Sequence, residues 1–444
     1  MLTTSTGANP NYVATVCKLQ SISDHPNADR LSIATVLHHQ VVVGKDDNTD
    51  DLYVFFPIES RLSTEFLSYT NSFRHPERNR NPEIKGFFED HGRVRMVRLR
   101  QVYSNGYVVE YNTVKNFALD VLGIALDDPS PPYDFDSIGN HVICMKYVAK
   151  TVSVKVPKGI QGKKPRISRL IEGQWSFHPD TPQLKRCLHE ISPLDIISIT
   201  NKVHGSSSKA AKVLVKRSLT WKDRLCKALG AQIRDTEYDL LASSRRVIKN
   251  TYLRNPKSND FYSVDIFMLV ANEIGDKIPA SFAVTGEIVG FLPTGAPIQK
   301  DYDYGCSWTD HDFYVFRVEY IGPTGLSHTL GHKEMVSFCE CQGLKMVETF
   351  YYGRAVDLFP NLSVSESWPE DFLKKLEETY LDKKCHLCKN DVWAEGIVVR
   401  KEVPFEYRVF KLKSPAFLGD ETARLDKGET SVEAEEESLV ATQP

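Results

Sequence analysis

Along the first quarter of the chain, apolar and polar residues alternate in short runs. Residues 12–111 hold six of them: YVATVCKL, LSIATVL, QVVVGK, DLYVFF, RVRMVRLR and GYVVEY. A period of two over such lengths predicts strands with one buried face. His25-Pro26-Asn27, Lys45-Asp46-Asp47 and Asn105-Gly106 punctuate them as turns, so residues 1–125 are expected to form a small antiparallel β-barrel. The stretch 126-LDDPSPPYDFDSIGN-140, with three prolines, several acids and little apolar content, reads as a linker. Beyond it, strand-like 196-IISIT-200, 282-FAVTGEIVG-290, 396-GIVVR-400 and 407-YRVFKLK-413 alternate with helix-like 260-DFYSVDIFMLVANEIG-275 and 369-PEDFLKKLEETYLDKK-384. The second helix opens on proline and acids, as helix N-termini do. An α+β domain over 141–418 is expected, followed by an acidic, Ser/Glu-rich and disordered tail over 419–444.

Composition sets the frame for that reading. With 444 residues, 41% hydrophobic and 25% charged, the chain is an ordinary soluble one of two or three domains. No run approaches the ~20 apolar residues of a membrane helix. The start MLTTSTGANPN lacks the pattern of a secretion signal, so an intracellular protein is expected. Nine cysteines, an odd number, do not read as a disulfide framework. Cys339/Cys341 and Cys385/Cys388, with His386 nearby, match zinc-knuckle spacing poorly, and reduced thiols are expected there. The net charge of −3 is uneven: the segment from Asp420 onward holds eight acids against Arg424 and Lys427. Between Met145 and Leu170 lie Lys146, Lys150, Lys155, Lys158, Lys163, Lys164, Arg166 and Arg169, with no acid. A second basic stretch runs from Lys209 to Lys227, with Asp223 its only acid. Such runs suit either a phosphate backbone or a plain solvated face.

Five short stretches stand out in fixed order. They are Lys202-Val203-His204-Gly205 within 199-ITNKVHGSSSK-209, then 284-VTGEIVG-290, 311-HDFYVFRVEY-320, 395-EGIVVR-400 and 409-VFKLK-413. Singly each has a bland reading, since a lysine before a turn or a glutamate at a strand end is usually a solvated charge. Phe313 and Phe316, singly, read as core. Together and in this order they resemble the motifs of the covalent nucleotidyltransferase superfamily, the polynucleotide ligases and RNA capping enzymes. The resemblance implies that Lys202 is the nucleophile and that Glu287 meets the ribose hydroxyls. It implies that Phe316, with Phe313 as fallback, packs on the purine, that Glu395 is the glutamate of the fourth motif in the nucleotide site, and that Lys411 and Lys413 serve the phosphates. His204 stands where the usual motif has Asp, a variant that resembles RNA ligases more than DNA ligases. Two more stretches, 177-FHPDTPQLKR-186 and 243-SSRR-246, fit the RNA-ligase pattern and point to Arg245 or Arg246 as a phosphate contact.

The chemistry asks for these residue types. A lysine attacking the α-phosphate of ATP must be neutral, so its pKa has to fall well below ~10.4. Burial and nearby cations push it that way, and Lys411, Lys413 and a divalent metal are candidates. Carboxylates suit a hard cation such as Mg²⁺ or Mn²⁺, which makes Glu395, and after it Glu287, the candidate metal ligands. A ring on the 311–320 strand would stack on adenine.

In the first half, 24-DHPNADRL-31 and 93-RVRMVRLRQVYSNG-106 resemble OB-fold tRNA-binding domains. They resemble still more the N-terminal OB domain of Deinococcus/Naegleria-type RNA ligases. Arg93, Arg95, Arg98 and Arg100 would put cations on a barrel face. Of these, Arg95, Arg98 and Arg100, with Lys163 and Lys164, are the candidate RNA contacts. Domain order agrees with the resemblance, because only residues 414–444 follow the last motif, leaving no room for a C-terminal OB domain. The expected fold is therefore an all-β OB barrel followed by an α+β nucleotidyltransferase domain with ATP-grasp-like antiparallel sheets. The expected function is an ATP-dependent RNA ligase, a monomer using ATP with Mg²⁺ or Mn²⁺. It would seal RNA 3′-hydroxyl and 5′-phosphate ends through lysyl-AMP and RNA-adenylate, in RNA repair. GTP-dependent capping chemistry and a non-catalytic RNA-binding protein are the alternatives. If the barrel is only an RNA module, a chain starting near Ser137 should still form lysyl-AMP.

Overall fold

A computed structural model describes residues 1–148, 169–249, 265–404 and 406–427. The alternating runs of the N-terminal half do become antiparallel strands. Tyr107–Glu110, Tyr53–Phe56, Ala14–Cys17 and Tyr133–Phe135 lie side by side in one sheet. A second sheet joins Ser21–Asp24, Leu31–Val36 and His39–Gly44. One face of the first sheet, with the helix Tyr111–Leu122, lines a core that includes Val16, Val54, Phe56, Phe66, Phe117 and Phe135, while Ala34, Val36, Val41 and Val43 of the second sheet pack with Cys17, Tyr53 and Phe55 on its other face. Burying such aromatic rings is the main stabilising term for a domain of this size, at roughly 25 cal/mol per Å² of apolar surface.

Three expectations change, two in this half and one at the C-terminal end. The segment read as a linker belongs to the domain: Tyr133–Phe135 pairs with Ala14–Cys17, Ser137–Ile138 with Leu2–Thr3, and Cys144–Lys146 with Ser60–Leu62. Its prolines end at Pro132, and the acids after them hid the buried Phe135, Ile138, Ile143 and Cys144. The arginine run does not present one cationic face. Arg93 is buried against Glu59 (2.6 Å), and Arg95 reaches Asp426 (2.6 Å), so only Arg98 and Arg100 are exposed. They sit at a tight hairpin, Met96–Leu99 with Val102–Asn105, whose Arg100 and Gln101 adopt φ of 45° and 75°. Finally, the tail begins later than expected, because Pro415–Asp426 is a helix with Ala416, Phe417 and Leu418 buried. Residues 428–444 lie outside the described residues.

The C-terminal domain, its elements counted from its own start, holds two antiparallel sheets. The strands in chain order are β1 (Ile196–Asn201), β2 (Ser206–Lys216), β3 (Thr236–Ser244), β4 (Phe282–Gly290), β5 (His311–Ile321), β6 (Thr349–Arg354), β7 (Gly396–Val403) and β8 (Glu406–Lys413). One sheet runs β6-β1-β7-β8; the other has β3-β2-β4-β5 at its centre. Helices α1 (Ile266–Ile274), α2 (His332–Gln342), α3 (Trp368–Tyr380) and α4 (Pro415–Asp426) pack around them. Asp265 caps α1, its carboxylate accepting the Met268 amide at 3.1 Å, a common way to satisfy a free N-terminal N–H. Ser414 caps α4 in the same manner, accepting from Phe417 at 3.4 Å. A mixed core joins the halves: Ile58 and Met96 from the N-terminal domain meet Val203, Tyr304, Phe417 and Leu418. Cys339 and Cys385 are buried in different cores, and Cys341 is exposed. Among the described residues, no helix is long and apolar enough to cross a membrane.

Candidate active site

Strand parity builds the site. On β1, Ile197 and Ile199 enter the core behind the sheet, while Ser198 and Thr200 face a cavity, and Lys202 follows just past the strand end. On β7 and β8 the same alternation sends Ile397, Val399, Phe410 and Leu412 to the core. It leaves Val398, Arg400, Tyr407, Val409, Lys411 and Lys413 on the cavity side. The second sheet faces them across the cavity with Ser207, Glu287 and Phe316. The enclosed space is about 230 Å³.

At one end lies a charged cluster. The Lys202 amide donates to the Gly396 carbonyl (3.0 Å), which fixes the residue beside β7. Lys202 Nζ and Lys413 Nζ each stand 2.9 Å from Glu395 Oε1, and His204 Nδ1 is 3.7 Å from Oε2. Burial alone would raise the Glu395 carboxyl. Lys202, Lys413 and His204 outweigh it and hold the group well below the usual carboxylate range. Lys413 moves upward, because Glu395 overcomes the effect of its own burial. Lys411 goes the other way: burial, then Lys413, Lys202 and Arg245, lower it to about 7. Arg245 donates to Asp180 (2.6 Å), a residue of the 177–186 stretch, which also pairs with β8 through Gln183 and Lys411.

Local geometry explains why the motifs carry glycine. Gly396 has φ +142°, and a Cβ there would meet the Leu412 carbonyl oxygen at 2.1 Å. Only glycine lets β7 start so close to β8, and this places Glu395 beside Lys413. His204 is clamped: its amide donates to the Tyr304 hydroxyl (2.6 Å), and its ring is edge-on to Tyr302 and Phe417. Phe316 is the extra residue of a β-bulge, since Thr285 pairs with Arg317 and Gly286 with Val315. The bulge turns Phe316 toward the cavity, while Phe313 stays in the core. The His178 ring meets Phe316 edge-on at 5.1 Å, and burial, then Arg317, lower its pKa to about 3.

Of the residues singled out from sequence, Lys202, Glu287, Phe316, Glu395, Lys411, Lys413 and Arg245 line this one cavity, and His204 touches Glu395 from beneath. Arg98 and Arg100 are on the exposed hairpin and do not line the cavity, and Arg95 is tied to α4. Lys163 and Lys164 lie outside the described residues. Lys209, at the head of the second basic run, is buried with Glu319 at 2.9 Å and is structural. Three wall residues, Tyr12, Glu59 and Tyr147, carried no sequence signal as site residues, and Lys146 was marked only as part of the first basic run. All four come from the N-terminal domain, and Glu59 holds a left-handed φ of 64°. Such strain persists where surrounding structure enforces it, here by the Arg93 pair and by the Tyr147 amide donating to the Glu59 carbonyl (2.8 Å). Tyr407 and Arg400 lay within quoted strands, and parity along 396–413 would have found them.

Two sheets clasping a cavity, with a lysine at one strand end against a buried glutamate–lysine pair, define a nucleotidyl-transfer architecture. Residues 195–413 match the RNA ligase family and residues 13–110 an OB-fold domain. The first of these makes residues 195–413 an RNA ligase domain. Among solved structures, Naegleria gruberi RNA ligase in an apo mutant form is similar, at 15% identity and TM-score 0.54, covering 93% of this chain and 98% of that one. A lysine-to-methionine mutant of that ligase with AMP and Mn aligns at 14% identity and TM-score 0.52, covering 92% and 98%. A lysine-to-alanine mutant with ATP and Mn aligns at 14% and 0.51, covering 92% and 97%. At such identities the likeness speaks for the fold. No curated protein matches the chain.

Proposed function

We propose that this protein is an ATP-dependent RNA ligase that seals 3′-hydroxyl and 5′-phosphate RNA ends in repair. The observation that carries this reading is the cluster of Lys202, Glu395 and Lys413 within 2.9 Å contacts, beside Lys411, at one end of a cavity that Phe316 lines. Lys202 Nζ attacks the α-phosphorus of ATP, forming a P–N bond as pyrophosphate leaves. An oxygen of the RNA 5′-phosphate then attacks that phosphorus, breaking the P–N bond and restoring the amine. The RNA 3′-hydroxyl finally attacks the 5′-phosphate, and AMP departs. Lys411 and Lys413 place cations where charge develops on the phosphoryl oxygens. Glu395 fixes both lysine Nζ groups, so once Lys202 has given its proton to solvent the free amine is held at the α-phosphate rather than searching for it.

A divalent cation fits this site only together with the nucleotide. Among the described residues no three His, Cys, Asp or Glu side chains gather as a metal site. The oxygen donors Glu395 and Glu287 both line the cavity, and Mg²⁺ commonly combines one or two carboxylates with substrate phosphates. Bound there, the ion would neutralise phosphoryl charge. The Naegleria ligase structures with ATP or AMP and Mn support the same pairing.

Incubation with α-labelled ATP tests the reading. A covalent adduct that survives alkali and is cleaved by acid, as a P–N bond is, is expected with the wild type and none with Lys202→Ala, at unchanged fold by circular dichroism. An adduct from GTP instead would make this a capping-type enzyme, and a full adduct in Lys202→Ala would remove the nucleophile.

A further inference from the structure

At the far end of the cavity from Lys202, the fold leaves polar atoms unused. Ser198 Oγ, His332 Nδ1 and Arg400 Nη1 are buried without a hydrogen-bond partner. The three residues are 1%, 3% and 6% exposed, and all line the cavity. Arg400 Nε and Glu402 Oε1 form an ion pair without a hydrogen bond, and the surrounding contacts fix the rest. Ser198 and Arg400 oppose one another across β1 and β7. Arg400 Nη2 donates to the Leu330 carbonyl (2.7 Å), and its Nε lies 3.1 Å from Glu402 Oε1. Glu402 Oε2 accepts the His332 amide (3.2 Å), and His332 Nε2 stands 3.1 Å from Thr349 Oγ1. The frame is thus rigid and the leftover atoms are few. Buried donors and acceptors are nearly always matched, so a convergent unmatched set marks a place where a ligand supplies the partners.

We infer that Ser198, His332 and Arg400 form the seat that reads the base edge of the nucleotide and selects adenine over guanine. The inference rests on the ATP reading above and assigns its specificity. Ser198 is four residues from Lys202 on an extended strand, roughly 13 Å, which suits a nucleoside monophosphate laid from phosphate to base edge. Between the two ends, Phe316 on one side and Val398 and Val409 on the other offer flat apolar walls for a ring. A guanidinium only donates, so Arg400 asks for a ring acceptor. Burial, then Arg400, lower the His332 pKa to about 4, so its ring is neutral and one nitrogen keeps a lone pair. With the Ser198 hydroxyl it provides acceptors for an exocyclic amine. Adenine has both parts in that order, an acceptor at N1 beside the 6-amino donor. Guanine carries N–H at N1 and oxygen at position 6. Held in the same seat, it would point a donor at the guanidinium.

The test compares lysyl-nucleotide formation from ATP, GTP and purine riboside triphosphate, which lacks the 6-amino group. It uses the full chain as wild type, Arg400→Met, Ser198→Ala and His332→Phe. The readout is the ratio of ATP to analogue within one protein, because a damaged fold lowers both alike. The wild type should favour ATP over the analogue by about ten- to a hundredfold, the usual worth of leaving buried polar groups unmatched. Ser198→Ala and His332→Phe should bring that ratio to within a few-fold, through KM more than kcat, whereas Arg400→Met, whose partner N1 the analogue keeps, should instead narrow the ratio of ATP to GTP. Ser198→Ala removes a single oxygen and reads the first ratio even if Arg400→Met fails to fold. Ratios that stay at the wild-type value in all soluble variants overturn the assignment and leave the ATP reading standing. Wild-type protein that labels with GTP and not ATP overturns both.

Discussion

Glu395 serves two lysines through one oxygen, so its charge organises the site and its shape does not. Glu395→Gln should therefore suppress adduct formation nearly as fully as Glu395→Ala, at every Mg²⁺ or Mn²⁺ concentration. Leaving two mostly buried ammonium groups without their carboxylate should also cost about 3–5 kcal/mol, visible as a lowered Tm. His204→Ala should weaken adenylylation too, since its ring both touches Glu395 and fills the space between Tyr302 and Phe417. Lys411 yields a pH signature. Its pKa of about 7 lies below the unfolded value of ~10.4, so the free protein carries it mostly neutral between those limits. Triphosphate favours the ammonium, so nucleotide binding at pH 8 should take up a proton. Calorimetry in buffers of different ionisation heat measures that uptake, and Lys411→Met should abolish it. By linkage, Lys411 adds stability as pH rises from about 7 and withholds it below. These lysines and glutamates were legible in the chain because nucleotidyl transfer tolerates few residue types in a fixed order. Glu59 was not, because a carboxylate in a loop far upstream has no local pattern to betray it.

Strands and helices carry the next layer. The alternation at 311–320 announced a strand, yet it gave no hint of the bulge that decides which phenylalanine faces the nucleotide. A bulge depends on the register of two strands, and register is a property of the pair. Phe316→Leu should lower affinity for ATP, whereas Phe313→Ala should lower stability by about 3–5 kcal/mol as a core truncation. Isothermal titration beside thermal melts separates the two. Gly396→Ala has no room against Leu412 and should part β7 from β8, with loss of adduct formation. Arg95→Ala tests the corrected reading of the arginine strand. Its partner Asp426 is on α4, so the change should leave the salt slope of RNA binding untouched and cost under about 1 kcal/mol of stability. A shallower slope would return Arg95 to the RNA contacts.

For the molecule as a whole, the two-domain plan was readable from the sequence and the seam between the domains was not. Prolines suggested a break at 126–140, but the chain after Pro132 returns to pair with the first strands of the molecule. Tyr12 and Glu59 then complete the wall of the nucleotide cavity. A chain starting near Ser137 should accordingly fail to form lysyl-AMP, against the expectation that the first domain serves RNA alone. Full adduct from a soluble truncation would restore that expectation.

The alternation along β1 has one further implication. The isoleucines that anchor this strand and the polar groups that face the nucleotide are interleaved, so the hydrophobic core sets the clock by which the nucleophile is timed. Deleting any single residue between Ile196 and Asn201 would offer a choice of two failures: keep the isoleucines inside and turn Lys202 away, or keep the lysine and expose the isoleucines. Deleting two neighbours restores the beat and only shortens the reach. Paired deletions should thus harm folding less than single ones, an ordering that a proteolysis-protection screen would reveal without any assay of catalysis.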